Sequence, residues 1–174
     1  MKKKTLKRIV VVTLAAILSI PTVTAQIEKF QAAFIYNISR YVEWPSSYNA
    51  DQFIIGVLGN NAPIAGELEV IAKSKKLFGK PIQVDKYASA SEIGNCNILF
   101  IPEKQMNNIG EAVSGINSKH VLLVTEQKGA ISAGSGINFL FISNKLQFEL
   151  HNGNITQNGL KVNSALESLA IKTY

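Results

Sequence analysis

The chain has 174 residues, 47% of them hydrophobic, with 18 Lys and Arg against 12 Asp and Glu. Five of the basic residues fall in the first 25, so beyond residue 25 the balance is 13 to 12, a net charge of +1 that gives no footprint for nucleic acid. One cysteine excludes an intramolecular disulfide framework, and two histidines, His120 and His151, give no close ligand pair of the kind zinc sites use.

The opening segment MKKKTLKRIVVVTLAAILSIPTVTA has a basic head, an apolar run from Ile9 to Ile20, and Val23-Thr24-Ala25 at its end. This is the pattern of a secretory signal peptide, with the cut expected after Ala25. The apolar run is well short of the ~20 residues that span a bilayer as a helix, so the segment reads as removed rather than as an anchor. No cysteine lies near the cut to carry a lipid. Residues 26–174 then form one domain, long enough for its own core.

In AAFIYNISRYVEWP, Ala32 to Pro45, apolar spacings of three and four link Ile27, Phe30, Phe34, Ile38 and Tyr41, with Ile35 and Val42 widening the face. The spacing predicts an amphipathic helix that ends at Trp44, because Pro45 disfavours helix at the residue before it. Phe53 to Leu58 predicts a buried strand, Gly59-Asn60-Asn61 its turn, and Pro63 the start of a helix with Ile64, Leu68 and Ile71 on one face. Gly79-Lys80-Pro81 breaks that helix, and Ile82-Gln83-Val84 is extended. The alternation repeats: strand at Ile98 to Ile101, helix over Met106, Ile109 and Val113, strand at Val121 to Thr125.

Continuous apolar strands separated by helical patterns imply crossover units. The fold class expected is therefore a single α/β domain, with a mixed, mostly parallel sheet and helices on both faces. Ile137 to Ile142 and Leu146 to Leu150, flanking Ser143-Asn144-Lys145, predict an antiparallel C-terminal hairpin, and Val162, Leu166, Leu169 and Ala170 a last helix.

No local motif supports catalysis. Gly134-Ser135-Gly136 leads into a strand, not the helix that follows a nucleophile elbow. Gly56-Val57-Leu58-Gly59 lacks the third glycine of a dinucleotide fingerprint and the Gly-Lys ending of a phosphate loop. Glu43, Glu67, Glu69, Asp51 and Asp85 show no pairing for acid-base work. Cys96, in NCNILFIP, reads as a small buried residue, His120 as a strand-edge residue and His151 as solvent-facing. Asn154-Ile155-Thr156 matches a glycosylation sequon. Backbone amides at the start of the helix after Asn61 are a generic anion site.

Three segments together resemble the YfiR-like family of periplasmic regulators: AAFIYNISRYVEWP its opening helix, NCNILFIP with HVLLVTE its middle, and GINFLFISNKLQFEL with GLKVNSALESLAIK its closing hairpin and helix. The resemblance spans residues 26–174 in order. It implies a one-domain α/β fold without an active site or cofactor, exported to the periplasm. The best understood members hold a membrane-bound diguanylate cyclase inactive by binding its periplasmic sensory domain, and relief of that binding raises cyclic di-GMP and favours biofilm growth. Family regulators can carry disulfides, which Cys96 has no partner to form.

The resemblance implies a protein that binds and represses an inner-membrane signalling protein, a diguanylate cyclase or a sensor kinase. Tyr41, Glu43, Trp44 and Pro45 match the family's motif. They are the candidate partner surface, one that could also serve a homodimer, because an amphipathic aromatic at a rigid helix end is a common interface anchor. The competing reading of Trp44 is a packing device over the helix. A second hypothesis is a small-molecule binding module, with Gly59, Asn60 and Asn61 at the carboxyl ends of the parallel strands and Pro102 to Gln105 beside them. Neither hypothesis calls for a metal.

Overall fold

A computed structural model describes residues 23–45 and 51–174. The predicted signal segment up to residue 22 lies outside the described residues. Helix α1, Val23–Ser39, buries Gln31, Ala32, Ile35, Ile38 and Ser39. This stripe is rotated from the predicted one, for Phe30 is 51% exposed. Small Ala32 and Ser39 let the helix approach closely, and Phe34 stands at its flank, edge-on to Phe139 and Phe148.

The helix stops at Ser39, five residues before Trp44 and earlier than the sequence predicts. Arg40 and Tyr41 donate to Asn37 and Ile38 carbonyls in a tight last turn. Val42–Glu43 then leaves as strand β1, antiparallel to Lys161–Val162. That pairing gives the backbone of the β-branched Val42 a partner, and Trp44, before Pro45, lies outside the helix as expected.

Strand β2, Phe53–Leu58, leads to α2, Pro63–Ser74, which has Pro63 in its first turn and buries Ile64, Ala65 and Leu68. Strands β3, Lys76–Leu77, and β4, Lys80–Tyr87, form a hairpin about Phe78-Gly79, both at positive φ. Next come β5, Ile98–Ile101, a 3-10 segment at Glu103–Asn108, α3, Ile109–Ile116, and β6, Leu122–Thr125. The hairpin of β7, Ile137–Ile142, and β8, Lys145–Leu150, closes through Ser143-Asn144, again both at positive φ. Asn tolerates that conformation, which two-residue hairpin loops require.

The C-terminal segment differs from expectation. It holds α4, Asn152–Gln157, β9, Lys161–Val162, the one-turn α5, Ser164–Glu167, and β10, Lys172–Thr173. Val162 belongs to the ladder with β1 and Leu169 is 64% exposed, so the predicted last helix reduces to a turn around Leu166. Asn163 caps that turn by accepting from the Ala165 N–H, and the Ile171 N–H donates to Phe148, drawing the chain end onto β8.

The main sheet runs β10-β8-β7-β6-β5-β2-β4-β3. Its central strands, β4, β2, β5, β6 and β7, are parallel in a doubly wound order. The β7–β8 and β3–β4 pairs are antiparallel, and β10 joins β8 in parallel to form that edge. Side chains alternate between two cores. Ile55, Val57, Ile98, Phe100, Leu122 and Val124 pack under α1 and α2, whereas Leu99, Ile101, Leu123 and Cys96 pack under α3. Gly56 keeps the second face open, since a Cβ there would lie 2.6 Å from the Tyr87 ring. Chain reversal between β2 and β5 creates a switch point at the carboxyl ends of these strands, where sheets of this type bind ligands.

Candidate functional site

Two concave regions flank the α1 and α2 face. The smaller, about 400 Å³, is bordered by Arg40, Glu43, Trp44, Pro45, Phe78 and Lys80. Pairing of β1 with β9 fixes the Tyr41 to Pro45 segment, and the Tyr41 carbonyl accepts from the Asn163 N–H. The half-buried Trp44 packs edge-on against Phe53, with ring centroids 5.1 Å apart, and against Phe78 at 5.9 Å. Phe78 also meets Phe53, yet remains 56% exposed. Trp44 thus has the packing role the sequence allowed, while Tyr41, 39% exposed, and exposed Glu43 face outward beside it. Its indole Nε1 is buried without a hydrogen-bond partner among the described residues. Phe78 was missed in sequence, where it reads as the trailing end of a helical pattern.

The larger cleft, about 710 Å³, opens at the switch point. Gly59, Asn60 and Asn61 line it, together with Pro102 to Gln105, so the sequence-predicted ligand segment and its neighbour come together here. Gly59 adopts φ +100°, which a side chain would strain, and turns the chain from β2 toward α2. Phe100 and Phe139 are apolar lining residues, as are Ile27, Phe141 and Leu146.

The cleft also gathers carboxylates that sequence spacing could not pair. Glu126, one residue past β6, accepts from Gln31 Nε2 at 2.5 Å and from the Glu103 backbone N–H at 3.0 Å. Burial raises the Glu126 carboxyl above its ordinary range, against these two hydrogen bonds, and the charges of Glu103 and Glu28 push it further up. Glu28 lies one turn before Gln31 on α1, and its Oε2 is buried without a partner among the described residues. The signal available in sequence was an acid placed directly after an apolar strand, at the end where such sheets bind ligands.

Other singled-out residues have structural roles. His120 sits at positive φ with Nδ1 3.1 Å from the Asn158 carbonyl, not at a strand edge. His151 caps α4 by accepting from the Asn154 N–H and stacks on Tyr174, so it is not simply solvent-facing. Cys96 is buried, and burial pushes its thiol up to about 12. Asn154 donates its side-chain amide to the carbonyls of Ile131 and Ser135. A sequon whose amide nitrogen is engaged in this way has no free acceptor for a glycan. Among the described residues no group of three or more His, Cys, Asp or Glu could hold a metal, and no helix is long and apolar enough to cross a membrane.

A model of the YfiR/HmsC-like family matches residues 28–171. No curated protein matches the chain. Among solved structures, a conserved domain protein from Vibrio cholerae O1 biovar eltor is similar at TM-score 0.60 and 10% identity. An ABC domain in complex with L-Trp from Streptococcus pneumoniae is similar at TM-score 0.58 and 10% identity. Each likeness covers 84% of this chain and 60% of the other, so the chain spans well under two thirds of those structures, and at this identity they speak to the fold alone.

Proposed function

The chain belongs to the YfiR/HmsC-like family, whose members generally regulate periplasmic signalling, and from that premise we propose that it binds and represses the periplasmic sensory domain of an inner-membrane signalling protein. A diguanylate cyclase controlling cyclic di-GMP and biofilm growth, or a sensor kinase, is the partner type the reading names. Export by a signal peptide cut after Ala25, and a second use of the same surface in a homodimer, belong to the same proposal. Repression works as a population shift, in which binding favours the partner's inactive form and release lets the active one dominate.

The observation that carries this reading is the exposed aromatic rim. An apolar ring as large as Phe78, held outside the core on top of Trp44, costs the isolated protein hydration without adding much packing. Beside Trp44 and Pro45, Tyr41 and Glu43 add a polar border, and aromatic anchors with such a border are typical of interface hot spots. The Trp44 N–H, without an acceptor among the described residues, is a donor that an acceptor from a partner would complete. Co-purification of the tagged protein with candidate sensory domains tests it: wild type should retain one such domain and Phe78→Asn should lose it, whereas equal retention by both would count against the rim.

A second reading is favoured by the larger cleft, which supports a small-molecule binding module, with Gly59, Asn60 and Asn61 as ligand-contacting residues. The two are compatible, since a ligand in the cleft could set the affinity for the partner. A specific ligand should raise the melting temperature by binding only the folded state.

A further inference from the structure

We propose that the larger cleft takes a small organic cation, an ammonium group carried on an apolar body, with Glu126 as its counter-charge. The proposal rests on the ligand-binding reading of this cleft and names the class of ligand.

The charge inventory is one-sided. Glu28, Glu103 and Glu126 line the cleft against one basic residue, Lys104. Lys104 neutralises none of them, for the only ion pair within bonding distance among the described residues is Lys86–Glu69. Glu126 is also held in place. Gln31 Nε2 fixes one of its oxygens and the Glu103 N–H the other, yet a carboxylate has about four lone-pair sites, so acceptor capacity remains. Glu28 Oε2, buried and without a donor among the described residues, adds a second unfilled acceptor, carried one helical turn away on α1. An ammonium brings three donors and a positive charge, which meets both deficits. Aromatic and aliphatic lining from Phe100, Phe139 and Leu146 suits an apolar body rather than a bare ion.

An anion at the start of α2 is the competing occupant. The Ala62 and Ala65 N–H groups already donate to Gly59 and Ala62 carbonyls, and Pro63 has no N–H. The amides of Asn60, Asn61 and Ile64 remain along the cleft, but an anion there would share it with three carboxylates. A cation meets one like charge, Lys104, against the three carboxylates.

The test is a heteronuclear NMR titration of the protein purified from the periplasm of expressing cells, using three probes of matched body: 2-phenylethylammonium, 3-phenylpropionate and 2-phenylethanol. Saturable shifts at Gln31, Glu103 and Glu126 with the ammonium, at least tenfold tighter than with either other probe, are the expected result. Glu126→Gln should reduce that affinity at least tenfold, and Glu28→Gln serves as the second variant should the first fail to fold. Binding of the carboxylate or the alcohol at these residues in preference to the ammonium would overturn the cation inference while leaving the cleft a ligand site. Absence of saturable shifts there with all three would overturn both readings.

Discussion

The Trp44 indole meets the Phe53 ring edge-on at 5.1 Å, with the ring planes at 85°, and Phe78 lies across both while remaining largely in solvent. Packing and exposure therefore divide between neighbouring rings. Trp44→Ala should cost about 2 kcal/mol, below the usual loss for a fully buried tryptophan because this one is only half-buried. Phe78→Asn should change stability by less than about 1 kcal/mol, since Asn accepts the positive φ at this position. Urea unfolding of the two variants checks the difference; a large loss for Phe78→Asn would place that ring in the core.

Glu126 predicts a pH dependence with a definite sign. Its folded-state carboxyl is raised, chiefly by burial, so the folded protein holds this proton at a pH where the unfolded chain has released it. Its contribution to stability is then fully present below the ordinary carboxylate range and is lost as pH rises through the raised value. Glu126→Gln should remove that downward slope in melting temperature against pH. Ammonium binding should run oppositely, weakening as pH falls and Glu126 takes up its proton. Glu28, Glu103 and Lys104 also face the cleft, so Glu28→Gln is the control for which carboxyl sets the profile. An unchanged profile in Glu126→Gln would exclude Glu126 as its source.

Cys96 should be inert. Its thiol is buried between β2 and the α3 face and is pushed up to about 12, leaving essentially no thiolate at pH 8. A disulfide-exchange reagent should modify it only as fast as the protein opens, and addition of urea should bring stoichiometric reaction. Rapid modification of the native protein would contradict the burial.

Asn154 ties α4 to the loop before β7 through its two side-chain hydrogen bonds, at 3.0 and 2.8 Å. Asn154→Ala should cost about 1–2 kcal/mol by leaving the Ser135 carbonyl unpaired and removing one of the two donors to the Ile131 carbonyl, which keeps the Gly134 N–H. Secretion of the wild-type protein from a eukaryotic host should leave its mass free of a glycan at this position. A glycosylated, folded product would show that the amide is more available than the geometry indicates.

The strands β2, β5, β6 and β7 were legible because each is built on a nearly continuous apolar run, as in FIIGVL and VLLVT, and runs of that kind are what a sheet covered on both faces requires. Gly59-Asn60-Asn61 was equally legible as the turn at the end of β2, which put one border of the larger cleft within reach of sequence. The end of α1 was misread because Tyr41 and Val42 continue the helical spacing, whereas pairing with Lys161 and Val162, far along the chain, removes them from the helix. The same distance hid the chemistry. Gln31 and Glu126 are 95 positions apart, and neither is unusual in its own segment; only the crossing of α1 over the end of β6 makes them a pair. Phe78 was invisible as an exposed ring because its role depends on a hairpin turn whose register sequence did not reveal.

The proposed repression through the aromatic rim is tested most directly by placing a photo-crosslinking amino acid at Phe78 in living cells, with the same residue at exposed Glu111 on the opposite face of the sheet as the control. The account predicts a covalent adduct from position 78, absent from position 111, with an inner-membrane protein that carries a periplasmic sensory domain. Adducts of equal yield from both positions, or an adduct from position 78 only with a second copy of the chain, would contradict it.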